Sequence, residues 1–84
     1  MIKNLTEIPN IKEIAIYFCS LCDKEESCFQ NRDTETADMY HIKIHTIITL
    51  CAKILGLSAE EGKIRLAIKD ELKQIAEKTK KDAF

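Results

Sequence analysis

Glycine and proline are almost missing from this chain: it has two Gly and one Pro in 84 residues. Glycine supplies left-handed turns and proline fixed bends. A chain with so little of either reverses direction rarely, so it must fold into a few long elements. The apolar residues say which kind. They recur every three or four positions, and no segment alternates convincingly with period two. Long helices are therefore predicted and no sheet.

Residues 1–7 read as a loose lead-in. Pro9 suits a first helical turn, where its missing N–H is not needed. Ile11, Ile14, Ala15, Phe18 and Cys22 then share a face, giving a first helix over about 9–22. Residues 23–33 are polar and aperiodic and read as a long loop. Asp33 or Thr34 caps a second helix over about 34–55, with the stripe Ala37, Tyr40, Ile44, Ile47, Ile48, Cys51, Ile54 and Leu55. Gly56 stops it. Ser58 and Glu61 form a capping-box pattern. Ile64, Ala67, Ile68, Leu72, Ile75 and Ala76 extend a third helix over about 59–80. The expected fold is a single all-α domain spanning 1–84, a three-helix antiparallel bundle or helical array.

Eighty-four residues bury only about 60% of their unfolded surface. A metal or a second subunit is a useful staple for so small a core. Charged residues are 32% of the chain with both signs interspersed, and the net charge is −1. Binding to phosphate needs a cationic excess, so a general nucleic-acid or membrane-surface role is not expected. No stretch approaches the roughly 18 apolar residues of a membrane span, and no secretory leader is read at the start. The expected compartment is the cytoplasm, where thiols stay reduced.

Four cysteines in such a chain point to metal binding, catalysis or plain core packing before disulfides. Cys19, Cys22 and Cys28 fall within ten residues, and His41 and His45 follow one helical turn apart. Thiolate and imidazole ligands converging on one volume suit zinc or an iron–sulfur cluster. If the first two helices run antiparallel, all five residues approach one end of the bundle. The expected ligand set is Cys19, Cys22 and Cys28 with one histidine, His41 being nearer the loop. Cys51 lies ten residues beyond His41, about 15 Å along the axis, and is expected to be a packed core thiol. In the alternative reading all four cysteines simply pack. A thiol–disulfide role is the least favoured, because a helix C-terminus works against a thiolate.

The spacing Cys-x2-Cys-x5-Cys resembles the last three ligands of the iron–sulfur loop of endonuclease III-type glycosylases. It is also similar to the cysteine triplet of WhiB-like iron–sulfur regulators. The likeness covers ten residues, and Lys12 stands where the glycosylase loop has its remaining cysteine. It implies a cluster that a histidine would have to complete.

Ala52-Lys53-Ile54-Leu55-Gly56-Leu57-Ser58, with Lys63, Arg65 and Leu66, resembles a helix-turn-helix of the sigma-factor region 4 type. It implies a DNA-binding regulator using residues 52–68, a weaker alternative because Glu60 and Glu61 would face phosphate. No phosphate loop, nucleophile elbow or His-Glu-x-x-His arrangement occurs, so no catalytic residue is assigned. One narrow stripe per helix is expected to leave Ile16, Tyr17, Ile42 and Leu50 partly exposed. That suits a homodimer or docking on a protein partner. The leading expectation is thus a small metal- or cluster-binding helical protein acting through a protein partner. A metal-free adaptor or subunit is the alternative.

Overall fold

The computed structural model describes residues 4–82. Three helices dominate it: α1 (Ile11–Gln30), α2 (Thr34–Leu55) and α3 (Gly62–Asp82). No strand occurs among the described residues. The all-α, three-helix architecture read from the sequence is the observed one.

The limits of α2 coincide with those predicted, because both are written in local chemistry. The Asp33 carboxylate accepts a hydrogen bond from the Thr36 N–H at 3.2 Å, capping the first turn. Gly56 adopts φ 73°, a conformation glycine enters without a Cβ penalty. The turn closes with Leu57 N donating to Ala52 O and Gly56 N donating to Lys53 O.

The predicted loop over 23–33 is a correction. The helix continues through Gln30, leaving only three residues before α2. Asp23, Lys24, Glu25, Glu26 and Gln30 carry no apolar period, yet most are strong helix formers. The turn uses the same closure as the end of α2. Asp33 N donates to Cys28 O and Arg32 N to Phe29 O. Here Arg32, at φ 59°, takes the left-handed position that glycine usually fills.

Two helix starts also differ. Asn10 takes φ 61° ahead of α1, so Pro9 lies in the preceding turn. The capping box at Ser58 and Glu61 does not form. The first backbone bond of α3 runs from Arg65 N to Glu61 O, and residues 58–61 are a turn. The lead-in is more ordered than predicted. Leu5–Glu7 form a 3-10 turn, and Leu5 is wholly buried. Residues 1–3 lie outside the described residues.

Helix α1 is central and packs against both α2 and α3, which touch each other less. The core joins Leu5, Ile11, Ala15, Phe18 and Leu21 to Ile44, Ile48, Cys51 and Ala52 of α2 and to Ile68, Leu72 and Ala76 of α3. Leu21 and Ala52 join the predicted stripes, while Ile54 and Ala67 turn outward. The molecule is a slab, 42 × 37 × 18 Å. A slab covers each helix on fewer sides than a cylinder would, and this leaves apolar surface on the flanks. Ile16, Tyr17, Ile42 and Leu50 are all exposed, as the narrow stripes predicted. Among the described residues no helix is long and apolar enough to cross a membrane.

Candidate functional site

The histidines of α2 meet the C-terminal half of α1 and the start of α3 along one groove. Its lining includes Cys22, Glu25, His41, His45, Arg65 and Lys69. His41 and His45 are one turn apart, so their rings stack at a tilt with centroids separated by 4.1 Å. His41 Nδ1 lies 2.9 Å from the Glu25 carboxylate. A carboxylate only accepts, so Nδ1 carries the proton and donates.

His45 has the opposite tautomer. Arg65 Nη2 lies 2.5 Å from its Nδ1, and a guanidinium only donates. His45 Nδ1 therefore accepts, and the proton sits on Nε2. Burial lowers the pKa of His45, and neighbouring His41 and Arg65 lower it further. All three effects favour the neutral ring that this hydrogen bond requires.

Arg65 does more than hold a histidine. Its Nη1 donates to Ala59 O at 2.7 Å and to Thr49 Oγ1 at 3.1 Å. Nη2 also reaches His45 O at 3.3 Å. One side chain thus ties α3 to α2 and to the turn between them, where the two helices have least direct packing. Only a planar fork of several donors can do this; an ammonium is a single point of charge.

The cysteines are dispersed by the continuous α1. Cys19 lines a separate depression with Asp23, Lys73, Glu77 and Lys80. Cys22 lies between that depression and the histidine groove. Cys28 sits six residues after Cys22 on the same helix. That spacing sets it about 9 Å along the axis and roughly 120° around it. The ends of α1 and α2 do meet as expected, but Cys28 does not converge with Cys19 and Cys22. Among the described residues no group of three or more His, Cys, Asp or Glu is arranged to hold a metal ion. Cys51 is a core thiol, as predicted.

Burial raises the pKa of Cys19, Cys22 and Cys51. Nearby lysines oppose the shift at Cys19 and Cys22 but do not cancel it. These are protonated thiols at neutral pH, the form that packs rather than the form that ligates or attacks.

Residues 56–61 separate a 22-residue α2 from α3. A helix-turn-helix has a turn of three to four residues. Ala59, Glu60 and Glu61 precede α3 and are not in its first turn.

A second surface lies on the side of α2 away from the core. Met39, Ile42 and Leu50 are 54%, 65% and 56% exposed. With Thr46, Thr49 and Lys53 they make one stripe down the helix at three- and four-residue spacing. Both threonine hydroxyls are satisfied inside the molecule. Thr46 Oγ1 donates to Ile42 O at 2.8 Å, and Thr49 Oγ1 accepts from Arg65. The stripe is thereby more apolar than its sequence suggests, and Ile42, Thr46, Thr49 and Leu50 line a shallow depression along it.

Glu25 and Met39 were not singled out as functional from the sequence, and Arg65 entered only within the helix-turn-helix resemblance. For Arg65 a signal existed: the chain has only two arginines among thirteen Lys and Arg. Arginine, unlike lysine, offers a fork of donors, and Arg65 uses it. No family model matches this chain, and no curated protein or solved structure matches it.

Proposed function

We propose that this chain is a small cytoplasmic interaction protein that binds a protein partner through the outward face of α2, its cysteines serving as packing thiols. One observation carries the reading: Met39, Ile42 and Leu50 stand exposed in a row, opposite a fully packed inner face. Contiguous exposed apolar stripes are costly in water and mark binding surfaces. The raised thiol pKa values and the free state of all four cysteines support the packing role in a reducing compartment.

The test is site-specific photo-crosslinking in living cells. A photoreactive residue at Leu50 should give an adduct of defined mass. The same residue at exposed Asp70 on α3 should not. No adduct at Leu50, or the same smear at both sites, would overturn the reading.

A metal protein is the second reading, favoured by one observation: Cys22, Glu25, His41 and His45 border a single groove. An imidazole donating its other N–H to a carboxylate, as His41 does to Glu25, is the usual orientation of a zinc-ligating histidine. Zinc there would take His41, the Cys22 thiolate and a histidine nitrogen freed from Arg65. An iron–sulfur cluster draws less support, because it needs more thiolates than Cys22 alone. Elemental analysis of untagged protein purified without oxygen decides. Stoichiometric zinc lost in Cys22→Ser and His41→Gln supports the zinc reading, and iron with matching sulfide supports a cluster. No stoichiometric metal overturns both.

A further inference from the structure

We infer that the partner of the α2 face is a second copy of this chain, docked antiparallel about a two-fold axis near Thr46. The inference rests on the proposed binding role of that face and names its occupant.

Three features converge on it. The first is spacing. Ile42 and Leu50 lie four residues either side of Thr46, and Met39 and Lys53 lie seven either side. A two-fold axis through Thr46 therefore sets each Ile42 against the partner's Leu50, and each Met39 against the partner's Lys53 stem. The face is complementary to itself, which a two-fold interface requires. The second is the centre. Thr46 is small, and its hydroxyl is already bonded to Ile42 O, so two helices can approach there without stranding a polar group.

The third is charge. Glu35 and Asp38 mark the N-terminal end of the exposed side of α2, Lys43 lies near its middle, and Lys53 marks the C-terminal end. An antiparallel pair places the acidic end of each helix beside the partner's Lys53 and aligns the helix dipoles head to tail. A parallel pair would stack like charges at both ends, so charge selects the direction.

Sedimentation equilibrium from micromolar to near-millimolar protein tests this, with circular dichroism confirming that each variant is folded. The wild type should dimerise. Lys53→Glu and Asp38→Lys should each raise the dissociation constant about tenfold, by replacing two attractive contacts with repulsive ones. The double variant should return to near the wild-type value. The same singles should lose their effect in high salt. A wild type monomeric throughout the range overturns self-pairing, as does a double variant no better than the singles. These failures are distinct from failure of the binding role. A monomeric chain that still cross-links at Leu50 to one different protein would keep the role and refute the self-pairing. A chain with no adduct at all would refute both.

Discussion

Replacing Arg65 by methionine isolates the tie between α2, α3 and their connecting turn. Methionine fills much of the space of the arginine stem but donates no hydrogen bond. Two half-buried bonds disappear, to Ala59 O at 2.7 Å and to Thr49 Oγ1 at 3.1 Å. Bonds from a charged donor are worth about 1.5–3 kcal/mol when well formed, and neutral ones about 0.5–1.5. The half-exposed site brings each bond below the charged-donor range and toward the neutral one, to about 1–1.5 kcal/mol. The exposed contacts to His45 add little. The expected loss is about 2–3 kcal/mol. A domain of this size loses roughly 4–8 °C in Tm per kcal/mol, so Tm should fall by about 8–24 °C. Arg65→Lys should land between, recovering one contact with a single point of charge. Thermal and urea unfolding followed by circular dichroism measures this, at matched protein concentration because self-association would shift Tm. A change below about 0.5 kcal/mol would show that these bonds merely exchange with water, and the argument for Arg65 as the tie would fail.

Other outcomes follow from single residues. Phe18 is fully buried at the centre of α1, so Phe18→Ala should cost about 3–5 kcal/mol and leave the chain largely unfolded by urea titration. Gly56 sits at φ 73° with open space around its missing Cβ, and Gly62 starts α3 with equal space and no positive φ. Gly56→Ala should therefore cost about 1–2 kcal/mol from backbone strain, while Gly62→Ala is neutral or slightly stabilising. A similar effect at both glycines would contradict the assignment of the α2 stop. The pKa of His45 is lowered on folding, so the unfolded chain takes up the proton first. The His45 contribution is present above the ordinary histidine pKa of about 6.5 and is lost as pH falls below it. Urea midpoints between pH 7.5 and 5.5 should therefore fall less in His45→Gln than in the wild type, and equal slopes would rule this contribution out.

Much of the fold was legible because its signals were local. Asp33 and Gly56 bracket α2 with one cap and one left-handed stop, and the helix between them carries a clear stripe. The end of α1 was hidden for two reasons. Its last turns are polar and so lack a period, though their residues favour helix. The turn that ends it also uses Arg32 where glycine would have announced a stop. Leu5 is a tertiary effect: nothing near it in sequence says that it inserts beneath α1 and α3. The site was legible in part. His41 and His45 were visible as a pair, but their partners Glu25 and Arg65 come from other helices, 16 and 20 residues away in sequence. The convergence of Cys28 with Cys19 and Cys22 depended on a loop, and it dissolved when that segment proved helical. The exposed residues of α2 followed from a simple count, since a narrow stripe on a long helix leaves the opposite side to find its own cover.

The most direct test of the α2 face is a nuclear Overhauser experiment between differently labelled copies of the chain. One copy carries labelled isoleucine methyls and the other labelled leucine methyls, mixed at near-millimolar concentration. Intermolecular contact between Ile42 and the partner's Leu50 is the predicted result. Intermolecular contact of Ile42 with a leucine other than Leu50, or no intermolecular contact at all, would contradict the antiparallel self-pairing.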